Sequence, residues 1–368
     1  MESIVISGGH HSSALPVIDE LKKRFPEIKI YWYGHKHSLK GSSNVTLEYQ
    51  EITALGIPFY SLHAGKFYKT FSLFRLLKIP FGFCQAICLL VKHKPQAILS
   101  FGGYLGVPVV VAGWFLRIPS ISHEQTVVIG YANVLISKFA GKILYTWDES
   151  LKHLPKRKAV HTGLPLRKDI LKPRGKKFIS GNNLPTIFVT AGKSGSHIIN
   201  KAILSVLEEL LQIANIVHQT GDHSRYEDYK KLKTRYEQIK TKIPGLYYVQ
   251  KFISSEDIGD AYNQANLVIS RSGAHTCVEL MTLEKACVLI PIPWTSHNEQ
   301  SKNAKVVEES GLGEIVDEKK LKDKEYFFKV VKDMLERRNM YSLKKPFIKV
   351  EQSAKLIVDE VQKIAKKS

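Results

Sequence analysis

Ile-Ser-Arg-Ser-Gly-Ala-His-Thr-Cys-Val-Glu, residues 269–279, follows the apolar pair Leu267 and Val268 and decides how the chain is read. Such an apolar run suits a buried parallel strand, and it stops at Arg271, Ser272, Gly273 and Ala274, where small residues turn the chain into a helix. Gly273 is free to take any backbone angle, and the first amides of the following helix have no partner within it. Those amides point at an anion, with the positive end of the helix dipole behind them. Glu279 falls a turn or so into the helix, where a carboxylate accepts two hydrogen bonds from a ribose diol. Strand-glycine-helix turns are also common in α/β proteins at large, with the acid merely solvated, and this stretch alone leaves both readings open.

Outward from this turn, strands and helices alternate, which predicts parallel sheets with helices on both faces. Residues 4–6 lead through Gly8 and Gly9 into a helix over 12–24, and 28–33, 97–100, 120–122 and 142–145 read as further strands. Between His161 and Arg174 the pattern lapses into Gly163, Pro165 and Pro173 among basic residues, as a linker does. A second series follows at 187–190, 215–218, 246–249, 266–269 and 287–290, with helices starting near Gly195, Arg225, Glu256, Gly273 and Asn298. The expectation is an α/β chain of two Rossmann-like, doubly wound domains facing across a cleft. They span 1–162 and 163–349, and a basic C-terminal helix at about 350–368 packs back on the first. A length of 368 residues, more than one core usually spans, agrees with two domains.

Composition is that of a globular chain, with 44% hydrophobic and 24% charged residues, but the formal net charge of +20 calls for a polyanionic partner. Cys84, Cys88, Cys277 and Cys287 lie in apolar or helical patterns without a CxxC pair, so buried thiols in a reducing compartment are expected. No secretory signal opens the sequence, and residues 95–116, though uncharged, are broken by Gly102, Gly103, Gly106, Pro108 and Gly113, which argues against a spanning helix. Three glycine loops end strands: Ser7 to His10, Phe101 to Tyr104, and Ala191 to Gly195. None is a GxGxxG with a suitably placed acid, and GxxxxGK[ST] is absent, so neither a dinucleotide dehydrogenase nor a P-loop NTPase is favoured.

His123, Glu124 and Gln125 with Gly130 and Asn133, then Gly163, Pro165 and Arg167, and then Arg271 to Glu279 follow the glycine loops along the chain, and in this order the motifs resemble the MurG family, GT-B glycosyltransferases of peptidoglycan synthesis that move N-acetylglucosamine from UDP-GlcNAc onto a lipid-linked muramyl-pentapeptide. Gly102, Gly103, Tyr104 and Pro108 are similar to the family's second glycine loop. His123, Glu124 and Gln125, with Gly130 and Asn133, are similar to its HEQ segment, and Gly163, Pro165 and Arg167 to its linker motif. Arg271, Ser272, Gly273, Ala274, Thr276 and Glu279 match its donor signature.

The resemblance implies that Phe252 and Ile253 lie against uracil, that Glu279 holds the ribose, and that Gln300 and Asn303 contact the GlcNAc hydroxyls. The amides at Gly273, Ala274 and Thr276 would hold the diphosphate. Gly8, Gly9, Tyr104, Thr126, Asn133, Arg167, Lys193, Ser194 and Gly195 complete the implied substrate-binding set. His10 is the candidate base for the attacking 4-hydroxyl, since imidazole titrates near neutrality. Its alternative role is to cap the helix after the first strand, and with His11 beside it the choice stays open. An inverting single displacement is implied, with UDP-GlcNAc as donor substrate and neither cofactor nor metal. The acceptor would be linked to undecaprenyl diphosphate, on the cytoplasmic side of the cell membrane. The chain departs from the family in its shortened first loop, in Lys193 and Thr126, in Leu164 within the linker motif, and in Glu299 before Gln300.

Independently of the resemblance, Phe67, Tyr68, Lys69, Phe71, Phe74, Arg75, Leu76, Leu77, Lys78, Phe81 and Phe83 alternate bulky apolar groups with cations. This pattern predicts peripheral attachment to an anionic membrane surface, against the commoner outcome of a core helix with a solvated basic face. Rival readings are a UDP-sugar 2-epimerase, a GT-B transferase with another lipid acceptor, and a nucleic-acid binder. The last rests on charge alone, and no RNP, KH or zinc-finger pattern supports a specific nucleic-acid partner.

Overall fold

The computed structural model describes residues 1–37, 45–63, 78–223, 225–344, 347 and 350–366. It divides into two compact units, 1–167 together with 349–368, and 168–348. The division falls after Arg167 instead of after residue 162. His123 Nε2 donates to the Gly163 carbonyl at 2.9 Å, and Leu164 and Leu166 are buried, so the segment before Arg167 is fastened to the first sheet.

In the first unit the strands are β1 (Ser3–Ser7), β2 (Lys29–Gly34), β3 (Phe59–Ser61), β4 (Ala97–Ser100), β5 (Ser120–Glu124), β6 (Lys142–Tyr145) and β7 (Ala159–His161). All pair in parallel, in the order β3-β2-β1-β4-β5-β6-β7. β1 is buried along its whole length, because helices cover both faces of a parallel sheet and a strand there has no solvent side. One face, with Ile4, Ile6, Leu99 and Ile121, packs against Val17 and Leu21 of the helix His11–Arg24 and against Ile357 and Val361 of the C-terminal helix Ser353–Ala365. The ion pairs Arg24 with Asp359 and Lys142 with Glu360 hold that last helix. The other face, with Val5 and Ile98, meets the helices Lys78–His93 and Gly103–Phe115.

The second unit carries β8 (Thr186–Thr190), β9 (Asn215–Gln219), β10 (Tyr247–Gln250), β11 (Leu267–Ser270), β12 (Cys287–Leu289) and β13 (Gly313–Ile315), parallel in the order β10-β9-β8-β11-β12-β13. Each sheet reverses its winding once, between β1 and β4 and between β8 and β11. Loops leaving the carboxyl ends of such neighbours diverge and open a crevice, and it is there that doubly wound sheets take their ligands.

Cys277 and Cys287 are buried, but Cys84 and Cys88 are exposed, contrary to the expectation for all four. Four residues apart on the helix Lys78–His93, they fall on its outward stripe together with Phe81 and Val91. Residues 95–116 form the end of a loop, β4, the second glycine loop and the helix Gly103–Phe115, and among the described residues no helix is long and apolar enough to cross a membrane.

Asp260, on the helix Ile258–Gln264, fastens the start of the second unit. Its buried carboxylate accepts from the amides of Gly175 at 2.6 Å and of Lys176 and Lys177 at 3.0 Å. Removing it strands three backbone donors, so Asp260→Ala is expected to cost about 3 kcal/mol, read as a lower denaturation midpoint with an unchanged slope.

Candidate active site

At the first switch point Gly8 lies against the second glycine loop. Its φ of +124° favours glycine, and a Cβ there would come within 2.9 Å of the Gly102 carbonyl oxygen. Gly102, with φ +72°, is closed over by the Asn133 amide, which a Cβ would meet at 2.6 Å. Asn133 in turn donates from Nδ2 to Glu124 Oε2 at 2.7 Å. The other Glu124 oxygen accepts from the amides of Gln125 and Thr126 at 3.0 Å and from the Thr126 hydroxyl at 2.9 Å. Burial outweighs these donors and raises the Glu124 pKa. The HEQ segment is thus a brace: Glu124 shapes the turn, and Thr126 and Asn133, two of the expected ligand residues, are fastened to it. Tyr104 sits half-buried on the first turn of the next helix, with its ring 5.6 Å from that of His35.

His10 and His11 separate clearly. His10 occupies the N-cap position of the helix His11–Arg24, yet its side chain makes no capping hydrogen bond and is exposed. The imidazole is nonetheless crowded enough by protein that desolvation, reinforced by His11, lowers its pKa. His11 instead lies 3.1 Å from the Glu51 carboxylate. His123, buried and donating through Nε2 to Gly163, has its pKa pushed down to about 4 and is neutral at physiological pH.

At the second switch point Gly273 is the N-cap of the helix Ala274–Thr282, with φ −65° and ψ 153°. These are angles any residue adopts, so conformational freedom is not what glycine supplies there. A Cβ would meet nothing within 4 Å, so glycine keeps the approach to the amides of the first turn open. Glu279, on that helix, accepts at Oε2 from the Tyr262 hydroxyl at 2.7 Å. Burial, helped by Glu279 itself, pushes the Tyr262 pKa well above the ordinary value, which keeps the phenol a donor.

The third glycine loop lies beside this helix start, because β8 pairs with β11. Gly195, with φ +67°, is pressed against the turn after β9, where a Cβ would fall 1.9 Å from the Thr220 oxygen. Gln219, at the end of β9, donates to the Gly192 carbonyl at 2.9 Å and accepts from the Ile253 amide at 2.8 Å. One side chain therefore joins the loop carrying Lys193 and Ser194 to the Phe252–Ile253 stretch, where Phe252 is exposed and Ile253 buried. Sequence reading missed Gln219 and Tyr262 because each acts through another residue and belongs to no motif.

Several signature residues turn inward. Asn303 is fully buried and donates to the Ser272 carbonyl at 3.1 Å, which braces the turn through Gly273. Ser272 is buried too, its hydroxyl donating to the Gln300 carbonyl at 2.8 Å, while Gln300 Oε1 accepts from the Ile292 amide at 3.1 Å. Residues 273–276 and Glu279 stay partly exposed. Arg167 is half-buried where the first unit ends. Among the described residues no group of three or more His, Cys, Asp or Glu is placed to hold a metal ion.

Residues 6–145 match the glycosyltransferase family 28 N-terminal domain, and residues 186–361 its C-terminal domain. A Clostridium perfringens protein named UDP-N-acetylglucosamine--N-acetylmuramyl-(pentapeptide) pyrophosphoryl-undecaprenol N-acetylglucosamine transferase is 33% identical over 98% of this chain and 96% of its own. The chain belongs to the MurG branch of glycosyltransferase family 28. A Clostridium botulinum protein of the same name is 31% identical over the full length of both family 28 chains. Among solved structures, Acinetobacter baumannii MurG matches with a TM-score of 0.68 at 22% identity, covering 99% of this chain and all of that one. A Neisseria meningitidis UDP-GlcNAc 2-epimerase bound to UDP-GlcNAc matches at 0.65 and 16% identity, covering 99% and 100%. At these identities the likeness is one of fold, the GT-B architecture of two parallel-sheet α/β domains.

Proposed function

We propose that this family 28 enzyme transfers N-acetylglucosamine from UDP-GlcNAc to the 4-hydroxyl of a MurNAc-pentapeptide linked to undecaprenyl diphosphate, the step that completes the lipid-linked disaccharide of peptidoglycan. The observation that carries the reading is the donor turn: open helix-start amides after Gly273, with Glu279 held by Tyr262 on the same helix. Amides and dipole stabilise charge building on the departing diphosphate, and Glu279 fixes the ribose so that the anomeric carbon is presented in one orientation. His10 takes the proton of the attacking hydroxyl. A single displacement inverts the anomeric centre, and the oriented amides perform the charge stabilisation without a metal. Uracil lies along the Phe252–Ile253 stretch, and the Gly8, Gly102 and Tyr104 loops serve the acceptor.

Release of UDP from UDP-GlcNAc tests this, with and without a short-chain lipid-linked muramyl-pentapeptide. Acceptor-dependent release supports the transfer. Conversion to UDP-ManNAc without acceptor would instead identify the 2-epimerase, whose fold is equally compatible.

The same reading puts the protein on the cytoplasmic face of the cell membrane. Most of the apolar-basic stretch, residues 67–77, lies outside the described residues, but its continuation is informative. Phe81 and Val91 are exposed on the helix Lys78–His93, as are Trp114 and Phe115 at the end of the next helix, and Phe83 contacts Phe115 with ring centres 6.2 Å apart. The exposed cation Arg117 follows Phe115 by two residues, and the exposed Lys138 precedes Phe139, whose ring centre lies 5.3 Å from that of Trp114. Aromatics of this kind sink into the headgroup boundary while cations meet anionic lipid. Flotation is expected to show binding to phosphatidylglycerol vesicles at low salt and release as screening shortens the reach of the charges; no binding at low salt would remove the idea.

A further inference from the structure

Arg271 stands at the β8/β11 switch point, yet its guanidinium faces the protein and the residue is only 9% exposed. Nη1 donates to the Ile290 carbonyl at 3.0 Å, and Nη2 donates to Ser196 Oγ at 2.9 Å and lies 2.6 Å from Glu318. Its partners come from three other places. Ile290 follows β12, Ser196 follows the third glycine loop as the N-cap of the helix His197–Ser205, and Glu318 opens the short 3-10 helix Glu318–Lys322 after β13. One cation therefore ties together the segments that follow β8, β11, β12 and β13.

Such a cation is stable only if its charge is answered, because burying an unpaired guanidinium costs several kcal/mol. Glu318, with a side chain 14% exposed, is its carboxylate partner. Asp317 beside it is committed elsewhere, capping the 3-10 helix by accepting from the Lys319 amide at 2.8 Å. The Gly192–Ser196 loop and the turn through Gly273, to which the proposed function gives the diphosphate, are joined by Arg271 through its bond to Ser196.

We infer that Glu318 is a positioning residue for the donor: by orienting Arg271 it sets the spacing between the third glycine loop and the helix-start amides that together receive the diphosphate. The inference rests on the donor reading given under Proposed function. Preorganised amides bind a developing charge well only when their spacing is fixed beforehand, so loosening the clamp weakens donor binding without touching the acceptor.

Glu318→Gln keeps the shape and removes the charge, and Glu318→Asp keeps the charge on a shorter arm. The expected result for Glu318→Gln is a rise of about tenfold in the KM for UDP-GlcNAc, with the acceptor KM unchanged, and partial recovery in Glu318→Asp. In the ligand-free protein, hydrogen exchange is expected to quicken at 192–196 and 271–276 together. Unchanged exchange at both loops overturns the clamp; quickened exchange with an unchanged donor KM overturns its role in donor binding. Wild-type protein without affinity for UDP-GlcNAc would instead sink the donor reading, while the exchange measurement would still report on the clamp.

Discussion

Replacing His10 by asparagine is expected to lower kcat by about two to four orders of magnitude, the usual worth of a positioned general base, while the KM for UDP-GlcNAc stays near wild type. The capping role, its main competitor, is not performed by the side chain, which makes no cap bond although the residue occupies the cap position. His11→Asn is the control, since that ring is occupied with Glu51. The pH dependence carries the sign. A base works in its neutral form, and crowding lowers the His10 pKa below the ordinary 6.5. Activity therefore persists below pH 6.5 and is lost as pH falls through the lowered value. An acid limb at or above pH 6.5 that survives in His10→Asn would assign the base elsewhere.

Glu279→Ala is expected to reduce kcat/KM for the donor by about a hundredfold, since two charge-assisted hydrogen bonds to a diol are together worth about 3 kcal/mol. Glu279→Gln should lose most of this as well, because an amide offers one acceptor oxygen where the carboxylate offers two. Tyr262→Phe should lose less, about tenfold, since it removes the donor that orients Oε2 and leaves the charge. Calorimetric titration with UDP separates binding from turnover. Wild-type affinity in Glu279→Ala would mean that the carboxylate only solvates the helix.

Much of the architecture was legible because it is repetitive. Long apolar strands in the middle of each sheet, such as β1 and β11, announce themselves by composition. The strands that escaped notice are β3, β7 and β13, three residues each and all at sheet edges. With sequences Phe-Tyr-Ser, Ala-Val-His and Gly-Glu-Ile they carry no continuous apolar run, for an edge strand is covered incompletely and its identity comes from its neighbour. The turn through Gly273 was legible for a related reason: the part of it proposed to face the donor is backbone, and glycine spacing reports backbone. Braces were not. Asn303, implied as a sugar contact, is fully buried and bonded to the Ser272 carbonyl, and Glu318 belongs to none of the motifs. A motif shows which residue types recur together, and only packing shows which way each side chain turns.

The C-terminal helix has a consequence for the order of assembly. Ile357, Val358 and Val361 complete the core of the first unit alongside Ile4, Ile6 and Leu99, so the second unit is an insertion within the first. On a ribosome, the sheet begun by the first residues waits with one face partly uncovered while residues 168–348 emerge and form a core of their own. Domains made in succession ordinarily finish in the order of synthesis. Here the later unit closes before the earlier one, and the apolar face held open meanwhile is the stretch on which a nascent-chain chaperone would act.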